Sequence, residues 1–397
     1  MRLASRDLAV AAAGIGCFLN LYAPQAVLPQ IAASLGVTAA RTGLAVTAAL
    51  IAVALTAPFA GLISDRLGRK RLIVGAGLAL AVPTLMIAAA SSLEAMLVWR
   101  FVQGLLLPFV FVVMVGYIGD EFSGAEGVRV AGIYSLGAIV GGFGGRVVTG
   151  LAAELAGGPE GWRTGFVALA GLVVLTTAPV AAWLPPERRF NPIAGGLHAA
   201  LRTWRTHLGN ARLMSICAVG FAMLFGNVAV FTFMNFYLAA PPFGFTPGQL
   251  AAVFAVYLLG LVTTFLTSRL VVRVGRLGAL AAAILLACAG LLTTLAPVAA
   301  VVVGGLAALS GGLLVVQALC VGFIGAAAAQ AKSSAVGIYV TVYYIGGALG
   351  GVLPGMAWRA AGWGGVVALV VAVLLAALGV AARFWPMPEA GARCVAR

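Results

Sequence analysis

Ten acidic residues and two histidines in a chain of 397 leave little for acid–base or metal chemistry. Asp7, Asp65, Glu94, Asp120, Glu121, Glu126, Glu154, Glu160, Glu187 and Glu389 all fall at the ends of apolar stretches, in loops or in tails. None lies deep in a stretch, and His198 and His207 share one polar linker. Paired carboxylates, histidine relays and metal-ligand spacings are therefore missing, and an enzyme, a resident metal and a cofactor are not expected. Cysteine is equally uninformative: Cys17, Cys217, Cys288 and Cys320 are scattered over separate apolar stretches and Cys394 lies in the tail, with no disulfide framework. Only 9% of the chain is charged, against about a quarter in soluble domains, and no stretch is polar enough to form a soluble domain.

What the chain does have is hydrophobicity, 63% of residues, with a mean hydropathy of +1.12. Apolar stretches recur at the length of about 20 residues that a helix needs to cross a bilayer. Arg2 and Arg6 precede the first of them, but the apolar run continues to about Leu35, which reads as a first span rather than a secretory signal. Polar and Pro/Gly breaks predict an all-α membrane protein of twelve transmembrane helices near 8–33, 41–62, 71–91, 93–118, 130–153, 163–184, 213–238, 249–269, 277–296, 298–325, 335–357 and 363–385. The long polar segment 185–212 divides it into an N-terminal six-helix bundle, 1–184, and a C-terminal bundle with a short tail, 213–397. Within that linker Leu197, Leu201, Trp204 and Leu208 recur at helical spacing with Arg202 and Arg205 between them, the pattern either of a helix on the membrane surface or of a solvated linker.

Placing the amino terminus in the cytoplasm puts every Lys and Arg inside except Arg41, Arg163 and Arg359 and the intramembrane Arg100 and Arg146. The positive-inside rule then sets both termini in the cytoplasm of a bacterial inner membrane. The net charge of +14 sits against anionic lipid, so nucleic acid is not needed as a partner.

The halves repeat. GIYSLGAIVGGFGGRVVTG (132–150) matches GIYVTVYYIGGALGGVLPG (337–355) at an offset of 205, with Gly132, Ile133, Tyr134, Gly141, Gly142, Gly145 and Gly150 finding identical partners. Such duplication is typical of secondary transporters, in which two bundles rock about a midplane site. Gly137, Gly141 and Gly145, four apart, form a smooth edge for close helix contact.

The loop after span two, GLISDRLGRKR (61–71), resembles the G-x-x-x-D-R-x-G-R-K signature of the major facilitator superfamily, and the resemblance extends over essentially the whole chain. It implies two pseudo-symmetric six-helix bundles working by alternating access. It also implies a cytoplasmic latch of Gly61, Asp65, Arg66, Gly68 and Arg69, with Gly61 allowing close helix approach and Asp120 or Glu121 as the acidic partner of Arg69. The matching VVRVGR (271–276) keeps Arg273, Gly275 and Arg276 without the acid. RFVQG (100–104), LYAPQAVLP (21–29) and GWRTGF (161–166) resemble further patterns of the superfamily, the arginine of the first facing the cavity in proton-coupled members. GGFGGRVVTG (141–150) resembles the span-five motif of drug/proton antiporters, with Arg146 standing where proline usually follows the glycines.

By resemblance the chain is therefore a monomeric exporter of small organic compounds or drugs, driven by a proton gradient. Against this, proton antiport ordinarily uses an intramembrane carboxylate, and Gln25 stands where many such antiporters carry one. Two intramembrane arginines with no deep acid favour an organic-anion exchanger or facilitator instead, in which Arg100 and Arg146 hold the anionic part of the substrate. For each arginine a structural role remains, snorkelling toward Glu94 or Glu154 or bonding to carbonyls. Further candidates for the cavity are Asn20, Tyr22, Gln103, Asn227, Asn235 and Gln317, each also able to form a helix–helix hydrogen bond. Phe225, Phe231, Phe233 and Tyr237 read as packing residues. A lipid transporter on the same fold would need a lateral opening between spans.

Overall fold

The computed structural model describes residues 5–187, 207–327 and 332–385. Leu197, Leu201 and Trp204 of the expected surface helix, and the tail with Glu389 and Cys394, lie outside the described residues. Among the described residues all regular structure is helical.

Span one is bent by 43°: helices Ser5–Leu21 and Leu28–Leu35 flank a 3-10 turn, Ala23–Val27. Span two is Leu44–Leu67, and span three joins Arg69–Ala79 to Ala81–Ala88. Span four joins Leu93–Leu106 to Pro108–Glu121, span five is Gly124–Ala156 and span six Gly161–Trp183. The second half opens with span seven, Ala211–Ala239, which Asn210 caps by accepting from the N–H groups of Arg212 and Leu213. Span eight begins with Pro247–Val253, whose first turn is closed by a capping box of Thr246 and Gln249, and passes through a 3-10 stretch, Phe254–Leu259. It then enters the helical segment Gly260–Thr293, and Gly275 separates it from span nine. Span ten is Ala299–Ala327; spans eleven and twelve share Lys332–Phe384, interrupted at Ala361 and Gly362. Nine helices among the described residues are long and apolar enough to cross a membrane, ten with the bent span one. The breaks at Gly275 and Gly362 bring the spans to twelve.

The repeat is visible in the backbone. Gly68 (φ 85°) ends span two and Gly275 (φ 72°) ends span eight, left-handed conformations that glycine adopts without a Cβ clash. Span five lies directly on span one: a Cβ at Gly137, Gly141 or Gly145 would stand 2.4, 2.3 or 2.0 Å from the carbonyl oxygens of Ala11, Ile15 and Leu19. The equivalent Gly346 and Gly350 of span eleven lie on Phe221 and Phe225 of span seven in the same way, at 2.3 and 2.5 Å. Small residues let backbones approach where lipid supplies no hydrophobic drive between helices.

The halves meet along two seams toward one end of the bundle, here the Glu154 end. On one seam the Thr47 hydroxyl donates to the Ala348 carbonyl (2.9 Å), and Gly43 and Gly351 pack together. On the other, Glu154 of span five accepts from the Gly248 N–H (2.6 Å) and the Thr246 hydroxyl (3.0 Å) at the start of span eight. Loops at this end are tied by Arg41–Glu94 and by Glu160, whose carboxyl is held below its ordinary pKa range by the Ser34 hydroxyl and by Arg163. Glu94 and Glu154 are thus engaged elsewhere, and neither intramembrane arginine snorkels to them.

Candidate functional site

The bend in span one organises the middle of the first half. Pro24 has no N–H, so the carbonyl of Asn20 loses its helical donor. The N–H of Gln25 turns to Tyr22 (3.1 Å), which frees the carbonyl of Leu21 as well. Arg100 of span four answers both: Nη1 donates to the Asn20 carbonyl (2.9 Å), Nη2 to the Leu21 carbonyl (2.7 Å) and Nε to the Ala45 carbonyl of span two (2.8 Å). Nη1 also donates to Gln103 Oε1, and Gln103 Nε2 in turn donates to Asn20 Oδ1 and the Thr84 hydroxyl, both at 2.8 Å. Arg100, Asn20 and Gln103 are all wholly buried. Arg100, Asn20 and Gln103, expected to share the cavity, form a polar network inside the first half in this structure. The reason is that Pro24 and the 3-10 turn leave carbonyls in a membrane interior, where an unpaired backbone group costs several kcal/mol.

Arg146 lies elsewhere, between the halves, with 2% of its surface exposed. Its Nε and Nη2 both donate to one atom, Gln25 Oε1, at 2.9 and 2.7 Å, while Nη1 donates to the Gly142 carbonyl (2.6 Å). Three rings surround the guanidinium carbon: Tyr22 of span one at 4.8 Å, Phe254 at 4.6 Å and Tyr257 at 4.8 Å, the last two from the 3-10 stretch of span eight. Cation–π attraction of this kind strengthens when the pair is desolvated. The cage is tied outward in two directions. Gln25 Nε2 donates to the Thr232 hydroxyl of span seven at 3.4 Å, and the Tyr257 hydroxyl donates to Asn227 Oδ1 at 2.9 Å.

Of the residues singled out by sequence, the fold therefore brings Arg146, Gln25, Tyr22 and Asn227 together. Gln317 stands apart in span ten, donating to the Tyr343 hydroxyl (3.4 Å). Asn235 turns back on its own helix, donating to the Phe231 carbonyl at 2.7 Å, and its buried Oδ1 has no partner. Phe254, Tyr257 and Thr232 escaped the sequence reading. Two aromatics three residues apart in an apolar span look like packing until the 3-10 winding turns both toward Arg146.

At the opposite end, Arg69 Nη2 pairs with Asp120 (2.6 Å) and, more loosely, with Asp65 (3.6 Å), which selects Asp120 over Glu121. Glu187 accepts from the N–H groups of Arg69 (2.9 Å) and Lys70 (3.4 Å), capping span three. Arg66 is exposed beside a surface groove. A Cβ at Gly61, expected at a close helix approach, would meet nothing within 4 Å in this structure. In the second half Arg276 rests on the Phe323 ring (4.9 Å) where Arg69 has its carboxylates.

Comparison with known proteins agrees with this architecture. The profile of the Major Facilitator Superfamily matches residues 10–351. The uncharacterized MFS-type transporter YybF of Bacillus subtilis (strain 168) is 29% identical over 383 residues, 95% of this chain and 93% of its own. The inner membrane transport protein YnfM of Escherichia coli (strain K12) is 27% identical over 376 residues, 95% and 89%. Among solved structures, the nucleoside transporter NupG shares the fold with a TM-score of 0.79 at 14% identity, covering 96% of this chain and all of that one. A bacterial homologue of the human lysosomal transporter Spinster, in an inward-facing and occupied conformation, gives 0.76 at 17% identity, covering 96% and 95%. With its profile matched over most of its length and its two bundles related by the same internal repeat, this chain is a multi-pass membrane transporter and belongs to the major facilitator superfamily.

Proposed function

We propose that this transporter carries a small monovalent organic anion by alternating access, and that Arg146 holds the carboxylate. The supporting observation is the Nε–Nη2 edge of Arg146. That edge matches a carboxylate fork, yet a single neutral oxygen of Gln25 occupies it. A lone cation near the bilayer centre costs at least about 2.5 kcal/mol on insertion scales, and here only an amide, a carbonyl and ring faces offset it. A substrate carboxylate would offset it better. Because Arg100 is committed to backbone carbonyls, one guanidinium remains for the substrate, which favours a monoanion over a phosphate or dicarboxylate. Gln25, Tyr22 and Asn227 orient and enclose the charge in this reading, and Gln317 and Asn235 serve the walls.

The superfamily resemblance also supports a rival, proton-driven export of drugs. Among the described residues the only buried carboxylate is Asp7, which Arg129 holds at 2.8 Å near the end of span one. We assign the Asp65–Arg69–Asp120 end, with Gly61, Arg66, Gly68 and Glu121, to the cytoplasmic gate. The chain would then be a monomer of the bacterial inner membrane with both termini inside and bundles at 1–184 and 213–397 joined by the linker 185–212. The Glu154 end is the outer one in this assignment, and its seams hold the outer side shut.

The deciding experiment is solute flux in proteoliposomes across small carboxylates, organic cations and neutral compounds, with and without an imposed pH gradient. Carboxylate flux that Arg146→Gln abolishes in folded protein is the expected result. Cation flux driven by the gradient and indifferent to Arg146→Gln would replace this reading with drug/proton antiport.

A further inference from the structure

Gln25 faces two ways. It lies in the 3-10 turn of span one and is wholly buried. Its Oε1 accepts from Nε and Nη2 of Arg146 in the first half, at 2.9 and 2.7 Å, and its Nε2 donates to the Thr232 hydroxyl of the second half at 3.4 Å. One amide thus covers the guanidinium edge and reaches across the boundary between the bundles. It cannot leave its first partner without moving against its second.

The two sides of the Arg146–Gln25 contact are not equally fixed. Arg146 is anchored by Nη1 on the Gly142 carbonyl of its own helix (2.6 Å) and by the rings of Tyr22, Phe254 and Tyr257 around its guanidinium carbon. The backbone beneath Gln25 is anchored too: the Thr149 hydroxyl of span five donates to the Ala23 carbonyl (2.8 Å), and the Gln25 N–H to the Tyr22 carbonyl (3.1 Å). What is left to turn is the Gln25 side chain, a flexible stem with the amide at its tip. Its grip is also of the weaker kind. Two N–H groups along a guanidinium edge suit the two oxygens of a carboxylate, one each, and the charge strengthens both bonds. The amide meets them with a single neutral oxygen, and its far bond, to Thr232, is longer than the usual length of about 2.9–3.0 Å.

We infer that Gln25 is an internal stand-in for the substrate's carboxylate: it covers the Arg146 fork while the site is empty, and the arriving anion takes its place there and draws it off Thr232. This deepens the anion reading above and rests on it. Gln25 then stays beside the charge without holding the fork. It sets affinity, because every anion that binds must first undo the bonds the amide makes, and it ties occupancy to the boundary, because binding at Arg146 removes a bond between the halves.

The test is thermal shift of the purified full-length protein against increasing acetate or acetamide at constant ionic strength, read as the concentration that gives half the maximal shift. Gln25→Ala removes a fragment the size of acetamide, so acetamide is the missing piece and acetate its charged isostere. With the competitor gone, acetate should act on Gln25→Ala at a concentration about tenfold lower than on the parent, the effect of removing hydrogen bonds to a charged group. Acetamide should act more weakly than acetate on both. Thr232→Val loosens only the far end of the amide and should lower the acetate midpoint about twofold; it carries the test alone if Gln25→Ala fails to fold. A merely structural Gln25 predicts the opposite sign, since loosening a site weakens its ligands. Acetate acting on either folded variant at the same or a higher concentration than on the parent overturns the stand-in and leaves the anion reading standing. Acetamide acting as strongly as acetate, or no acetate response in any of the three proteins, overturns both.

Discussion

Arg100 and Arg146 look alike in the sequence, each a lone arginine in an apolar span, and the fold gives them opposite work. Arg100 repairs a backbone: its three nitrogens reach four acceptors around the bend made by Pro24. Lysine has one nitrogen and no fork, so Arg100→Lys should leave carbonyls of span one unpaired and cost roughly 3 kcal/mol or more of stability. The expected outcome is a clear drop in melting temperature and in yield from detergent, with the surviving protein still transporting. Full stability combined with lost transport would return Arg100 to the substrate path. Arg146 is held by a side-chain amide and by rings from both halves, so Arg146→Gln removes a buried charge without stranding a carbonyl ladder. It should fold at least as well as the parent and transport nothing, a dissociation of stability from flux that separates the two arginines in one pair of measurements.

At the scale of helices, glycines set the spacing. Span five can ride on span one only because the carbonyls of Ala11, Ile15 and Leu19 approach where a Cβ would stand, and span eleven repeats this on span seven. Gly145→Ala puts a methyl group 2.0 Å from the Leu19 oxygen, which a rigid helix backbone relieves only by moving the whole pair apart. We expect Gly145→Ala to abolish folded protein in membranes and Gly350→Ala, at 2.5 Å, to reduce it strongly. Gly61→Ala, despite its place in the family signature, should express normally, because that face has nothing nearby. The three variants, compared by fluorescence-detected size exclusion, check the ranking. The 3-10 stretch Phe254–Leu259 is the other element-scale feature: at three residues per turn it sets Phe254 and Tyr257 in line on one side, both against Arg146, where a regular helix would set them about 60° apart.

For the molecule as a whole, what matters is which contacts join the halves. Glu154 is a carboxylate of the first half seated on the N-terminus of span eight in the second, where the helix dipole and the Gly248 N–H both favour its charge. Glu154→Gln keeps the shape and weakens this hold, so a cysteine placed at Ala251, now packed against Gly150, should become several-fold more reactive toward an impermeant thiol reagent. Unchanged labelling would mean that the Thr47–Ala348 seam alone keeps that end shut. The twelve spans, their duplication, the glycine edge and the Asp65–Arg69 loop were legible in the sequence because each depends on local pattern: stretch length, residue size at helical spacing, and charge next to a helix break. The identity of Arg69's partner was legible only as a choice between neighbours, since a one-residue step turns a side chain about 100° around the helix. The division of labour between the arginines was not legible at all. Sequence places Arg100 and Arg146 at similar depth among similar neighbours, and their partners, Asn20 and Leu21 for one and Phe254 and Tyr257 for the other, lie far away along the chain. The sequence by itself determined that this chain fills a bilayer with two related bundles, because hydrophobic length and repeat are properties of the chain alone. Only the tertiary structure decided which buried charge mends the backbone and which waits between the halves, because that depends on which distant carbonyls and rings are brought within about 3–6 Å of it.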